Sequence, residues 1–233
     1  MDFALFTQEG LVMILRWIHF FAGIIWIGLL YYFNFVQGEF FKETDGTTKN
    51  NAVAKLVPRA LWWFRWGAMF TFLSGLFMLA IAGHDLKGDF FQTSYGIYIT
   101  AGALLGTLMF LNVWLIIWPN QKIVIASTEA VLKGGQANPA AAGAAAKAGL
   151  ASRTNVLFSM PMMFFMGASR HLSLNIPEGF NPCTVLIALA VIIGALELNG
   201  IKGKMGPMTT IKGVVHCGLA LLVVLYVMIE VIV

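Results

Sequence analysis

Six long apolar runs punctuate the chain, at residues 11–36, 60–83, 96–118, 154–172, 183–200 and 211–233. A helix needs about 20 residues to cross the hydrocarbon core of a bilayer, and each run comes close to or exceeds that length. The runs are continuously apolar and do not alternate, which predicts helices and not the strands of a barrel. Polar sequence gathers in 37–59, 119–153 and 201–212, while the other connections are short. The pattern predicts an all-α, polytopic transmembrane helical bundle of six spans, a single integral membrane domain over residues 1–233.

Composition agrees: charged residues make up 11% of the chain, far below the roughly 25% of a soluble domain. The net charge of +4 gains meaning from where it falls. Lys42, Lys49, Lys55, Arg59, Lys122, Lys133, Lys147, Arg153, Lys202, Lys204 and Lys212 all lie in the three polar segments, which are alternate loops. The positive-inside rule makes those loops cytoplasmic and both termini periplasmic, as six spans require. The expected location is a bacterial cytoplasmic (inner) membrane, with the lipid bilayer as partner and no nucleic acid. A cleavable signal peptide is not expected, since Asp2 and Glu9 are acidic and the first run is too long for an h-region.

The polar segments have some structure of their own. Loop 37–59 has room for a short interfacial helix, and the Ala/Gly-rich stretch from Gly134 to Ala151 reads as a cytoplasmic one. Lys55 to Trp66 (KLVPRALWWFRW) has the tryptophans of a headgroup belt. Arg65 lies a turn or more deeper, so it either snorkels back or pairs inside. Gly102 and Gly106 form a small-xxx-small pair that permits close helix approach.

Ionisable residues inside apolar runs are the candidates for chemistry, because each costs roughly 2.5–3.5 kcal/mol on insertion scales. Arg16, His19, Gly23, Trp26 and Leu30 share one helical face. That face either holds a flat cofactor, with the imidazole on a metal, or packs on a neighbour, with His19 donating to a carbonyl. The fourth run ends in Gly167-Ala-Ser-Arg170-His171 and repeats the theme. It also holds Pro161, expected to kink it, and Met160, Met162, Met163 and Met166, which read as adaptable packing.

His19 and His171 fall near the same outer face and form the expected axial pair for a b-type haem iron. Arg16 and Arg170 would serve its propionates, and Gly23 and Gly167 would open a slot. His216, in the inner part of the last run, leaves a second haem open, while His84 reads as a solvated loop residue. Glu197 and Glu230 either reach headgroups or serve a proton path. Cys183 and Cys217 lie at opposite predicted depths, and no C-x-x-C-H attaches a c-type haem.

Three segments together carry a family resemblance. They are Arg16-Trp-Ile-His19 through Gly28, Asn112-Val-Trp114-Leu-Ile-Ile-Trp118-Pro119-Asn120-Gln121-Lys122, and Ala151-Ser-Arg153-Thr-Asn155 through Met166. They resemble the membrane-bound urate oxidase (urate hydroxylase) family of bacteria. The resemblance implies a membrane oxidoreductase that converts urate to 5-hydroxyisourate and passes electrons to cytochrome c. The better-known members carry a cytochrome c domain after the membrane part. This sequence ends at Val233 and is expected to be a short form, with a separate periplasmic cytochrome c as electron acceptor. Arg153, Asn155 and Asn112 are then candidates for binding an anionic purine, and no catalytic residue is assigned.

A second reading keeps the spans but not the chemistry: a non-catalytic haem-binding or structural subunit of a larger respiratory or monooxygenase membrane complex, docked on other membrane subunits. A transporter fits least, because no inverted repeat is evident and membrane acids are few.

Overall fold

The computed structural model describes residues 3–233, and among them every regular element is helical. Seven helices carry the fold: α1 (Gln8–Glu43), α2 (Gly46–Lys55), α3 (Val57–Gln92), α4 (Ser94–Leu132), α5 (Ala141–His171), α6 (Pro182–Lys202) and α7 (Ile211–Ile232). Five of them start on a side chain that accepts from an otherwise unpaired backbone N–H. The caps are Thr7, Asp45, Thr93, Asn181 and Thr210.

By length and hydropathy, α1, α3, α4, α6 and α7 can each cross a membrane. The expected fourth run, 154–172, is the C-terminal part of α5, which is not among those five. Its place in the fold gives the reason. Helix α5 contacts α1, α4, α6 and α7, and Ala151, Asn155, Val156, Phe158, Ser159 and Phe165 have no exposed surface at all. Thr154, Asn155 and Ser159 lie on the face screened by those neighbours and meet protein, so the helix tolerates them where a lipid-facing position would not. The Ala-rich stretch is the first half of this same helix, not a separate one. The short helix expected in 37–59 is present as α2, while α1 continues through the start of that segment to Glu43.

Close approaches set the packing. Helices α1 and α3 pack along most of their length. A Cβ on Gly67 would lie 3.2 Å from both the Ala22 carbonyl oxygen and the Trp26 amide nitrogen. Helices α4 and α5 meet at Gly102, where a Cβ would come within 3.3 Å of the Met166 amide nitrogen, as the small-xxx-small pair requires. Helix α7 meets α5 at Gly218, where a Cβ would lie 3.2 Å from the Leu157 carbonyl oxygen. Pro161 has no N–H to offer that carbonyl, which explains why a bare glycine can sit against it.

The helices alternate in direction, so the basic segments share one end of the bundle. There α2 packs on the last part of α4, and Met205 approaches Gly149. At the other end Gln8 Nε2 donates to Asp85 Oδ2 at 2.9 Å, and the Leu174 amide donates to Ser94 Oγ at 2.9 Å.

Candidate functional site

Two of the long helices contain a π-helical turn: Tyr32–Gln37 in α1 and Asn112–Ile117 in α4. Such turns are rare, shift the hydrogen-bond register by a residue, and occur frequently at functional sites. Each carries a buried asparagine that reaches α5. Asn34 Nδ2 donates to Ser152 Oγ at 2.8 Å and to the Leu30 carbonyl at 2.9 Å. Asn112 Nδ2 donates to Asn155 Oδ1 at 2.9 Å and to Glu197 Oε2, on α6, at 3.1 Å. Asn155 Nδ2 in turn donates to the Met109 carbonyl at 3.0 Å. One turn further along α5, Ser159 Oγ and Tyr31 OH are 2.9 Å apart. The amide N–H groups of Asn112 and Asn155, expected to face a purine, are thus already engaged in holding α4, α5 and α6 together.

Unpartnered polar atoms lie beside this layer. Gln37 Oε1, Arg65 Nη1, Trp114 Nε1 and Arg153 Nη1 are shielded from solvent and make no hydrogen bond. Gln37 and Trp114 belong to the two π-helical turns. Arg65, on α3, places its guanidinium carbon 3.8 Å from the centre of the Trp118 ring, and Trp66 meets Trp114 edge-on at 5.7 Å. Contacts put Arg65 and Arg153 at one level: Phe64 packs on Phe33 at 5.5 Å, and the next residue, Asn34, bonds Ser152, the neighbour of Arg153. The charge balance is lopsided. Among the described residues neither arginine has a salt bridge, and Glu39, whose field reaches Arg153, is bonded by Lys42 at 2.8 Å. A guanidinium with an open N–H beside an indole face, as at Arg65 and Trp118, suits a planar anion.

The histidines are placed differently. His19 Nδ1 donates to the Thr71 carbonyl of α3 at 2.8 Å, with Ser74 Oγ 3.4 Å away. A Cβ on Gly23 would lie 3.8 Å from the Thr71 side chain, and Gly75 lies against the imidazole edge. Trp26 and Leu30 on the same face are buried. Arg16 is exposed. His171 ends α5 and is exposed, as is Gly167, while Arg170 stacks over Tyr95 at 4.4 Å. His216 is exposed on α7, and His84 is exposed with Asp85 at 3.5 Å. The hydrogen bonds and ring contacts of His19 thus lead to α3, and those beside His171 lead to α4.

This geometry fits haem ligation at one position. With Nδ1–H fixed on a carbonyl, His19 keeps its Nε2 lone pair free, the arrangement of most metal-bound histidines. The slot expected beside it at Gly23 is taken by α3. No cluster of three or more His, Cys, Asp or Glu suited to a metal ion occurs among the described residues.

The family described as urate oxidase, N-terminal, matches residues 86–230, more than half of the chain. The chain belongs to this urate oxidase N-terminal family. No curated protein and no solved structure matches it. The family match takes in α4, α5, α6 and most of α7, hence Asn112, Trp114, Trp118, Arg153, Asn155 and Glu197, but it stops short of α1 and most of α3. The sequence points to Arg153 directly and marks Arg65 only as a misplaced charge. It gives Asn34 and Gln37 no role, and the one signal for them is that they are amides at the end of an apolar run.

Proposed function

We propose that this urate-oxidase-like chain is a membrane-bound oxidoreductase of the bacterial inner membrane, acting on urate or a similar anionic purine. Family membership carries the reading; the apolar helices and the half-buried Arg153, with its enclosed, unbonded Nη1, support it. Hydroxylation of urate, with water as the oxygen source, is balanced as urate plus water giving 5-hydroxyisourate, two protons and two electrons that pass to the acceptor. The protein must therefore hold a planar anion, admit water and deliver electrons elsewhere, and a periplasmic cytochrome c is the proposed acceptor. Arg153 binds the anion through its open N–H. Asn112 and Asn155 act behind it, pinning the π-helical turn of α4 so that Trp114 keeps its place. With the basic loops cytoplasmic and both termini periplasmic, this layer lies toward the cytoplasmic side.

A haem b, when bound, would supply the one-electron relay between a two-electron oxidation and a one-electron acceptor. His19 would hold it through Nε2, with the Thr71 carbonyl fixing the ring and Arg16 near enough in sequence to meet an acidic substituent. His171 with Arg170, and His216, remain candidates for further ligands.

The experiment is urate consumption by membranes from cells expressing the chain, against vector-only membranes. Consumption lost in Arg153→Gln supports the reading. Intact, well-folded protein that leaves urate untouched with cytochrome c present overturns it and favours a structural subunit.

A further inference from the structure

We propose that Arg65 of α3 and Lys122 of α4, which converge on the Trp118 indole, bind the phosphodiester of an anionic glycerophospholipid. Its acyl chains lie along the exposed apolar seam between those two helices. The site does not depend on urate oxidation, and takes from the reading above only the orientation, with the basic loops toward the cytoplasm.

Arg65 lies within a helix apolar enough to span a membrane, where a charge is costly and is usually kept for function. Its guanidinium carbon sits 3.8 Å from the centre of the Trp118 ring, and Lys122 Nζ lies 5.6 Å from that same ring. Two helices thus bring two cations to one indole. Among the described residues neither cation has a carboxylate within salt-bridge distance, so an anion between them relieves their repulsion. A cation–π contact uses the face of the guanidinium and leaves its in-plane N–H groups free. Nη1 is enclosed, but Arg65 as a whole is only half-buried and Lys122 is exposed, so the pair is reached from outside the bundle.

Helices α3 and α4 run in opposite directions and are joined by rings: Trp66 meets Trp114 at 5.7 Å, and Phe72 stacks on Phe110 at 4.2 Å. Residues after Arg65 on α3 and before Trp118 on α4 therefore lie on the membrane side of the cations. There Phe70, its ring centre 6.2 Å from that of Trp66, is 53% exposed, and Leu115, a turn from Trp118, is 67% exposed. Toward the cytoplasm, Trp62 and Trp63 are exposed at headgroup level. An open guanidinium beside an indole suits any planar anion, but an exposed apolar strip next to it selects an anion that carries acyl chains. The two cations also select net charge. Phosphatidylcholine would bring an ammonium group beside them, whereas phosphatidylglycerol brings only its negative phosphodiester. Basic pockets between transmembrane helices on the cytoplasmic side bind headgroups of this kind.

The test is native mass spectrometry of the full chain released from micelles holding equal amounts of phosphatidylglycerol and phosphatidylcholine. The parent is expected to retain phosphatidylglycerol in preference. That preference is expected to fall about fivefold in Lys122→Gln and about fivefold in Arg65→Gln, one cation being lost in each. It is expected to stay near the parent value in Lys147→Gln, which removes an exposed lysine of α5. Lys122→Gln changes only an exposed side chain, so it decides the matter if Arg65→Gln fails to fold; helix content and melting identify that case. Equal retention of the two lipids by the parent overturns the site, as does an unchanged preference in a folded Arg65→Gln or Lys122→Gln variant. An equal fall in Lys147→Gln makes the preference a property of surface charge and also overturns it. Displacement of the lipid by inorganic phosphate or urate makes the pair a small-anion site and contradicts the lipid assignment. None of these outcomes turns on whether urate is consumed.

Discussion

Asn112 and Asn155 are joined across the α4–α5 interface, Nδ2 to Oδ1 at 2.9 Å, and the same Asn112 amide reaches Glu197 at 3.1 Å. Three helices therefore meet at one side chain. Replacing Asn155 with leucine removes the acceptor for Asn112 and leaves the Met109 carbonyl without its side-chain donor in a buried site. Leaving a buried group unsatisfied costs about 1–3 kcal/mol. Thermal unfolding in detergent, followed by circular dichroism, is expected to shift down for Asn155→Leu and much less for Ser173→Ala, an exposed position.

Gly200, on α6, and Thr154, on α5, make a close helix contact. A Cβ at Gly200 would stand 2.7 Å from Thr154 Oγ1 and 3.1 Å from Thr154 Cβ. The Thr154 Cβ is set by the backbone and cannot swing aside, and its hydroxyl donates to the Leu150 carbonyl at 3.0 Å. Gly200→Ala is therefore expected to cost about 1–3 kcal/mol through overpacking. Gly194→Ala, in the same helix with open space beside it, is expected to be neutral or slightly stabilising. Equal melting points for the two variants would contradict the packing.

His19 gives a spectroscopic prediction. Its Nδ1 is fixed on Thr71, so Nε2 is the only ring nitrogen open to a metal. A reduced-minus-oxidised spectrum of the purified chain is expected to show a sharp b-type band that His19→Ala abolishes and His84→Ala leaves in place. A colourless parent protein would rule out haem as the relay.

Asp45 gives a pH prediction outside the membrane. The Thr48 hydroxyl first, then the Thr48 and Thr47 amides, hold its carboxyl below the usual carboxylate range. A lowered folded-state pKa means the cap contributes above the unfolded value, near 4, and fades as pH falls through the folded one. Hydrogen-exchange protection of α2, corrected for intrinsic rates, is expected to drop below about pH 4. Asp45→Ala should lack that protection already at neutral pH, and Asp45→Asn should lose the pH dependence.

The sequence carried the helical class well, because continuous apolar runs have few other solutions. It was less informative about α5. Thr154, Asn155 and Ser159 lower its mean hydropathy, and only the surrounding helices make that acceptable. The π-helical turns were not legible, since a register shift is set by tertiary bonds from Asn34 to Ser152 and from Asn112 to Asn155. Arg65 stood out as a charge in the wrong place. Its partner, Trp118, lies on another helix, and no local pattern links the two. His19 was legible as a polar group needing a partner, and the carbonyl of Thr71 proved to be that partner.

The most direct measurement is anaerobic reduction of added cytochrome c by membranes containing the full chain, with urate as the only electron donor. A urate-oxidising chain that hands its electrons on one at a time reduces two cytochromes per urate consumed, at a rate lost in Arg153→Gln. Urate consumption that requires oxygen and leaves cytochrome c oxidised would contradict it.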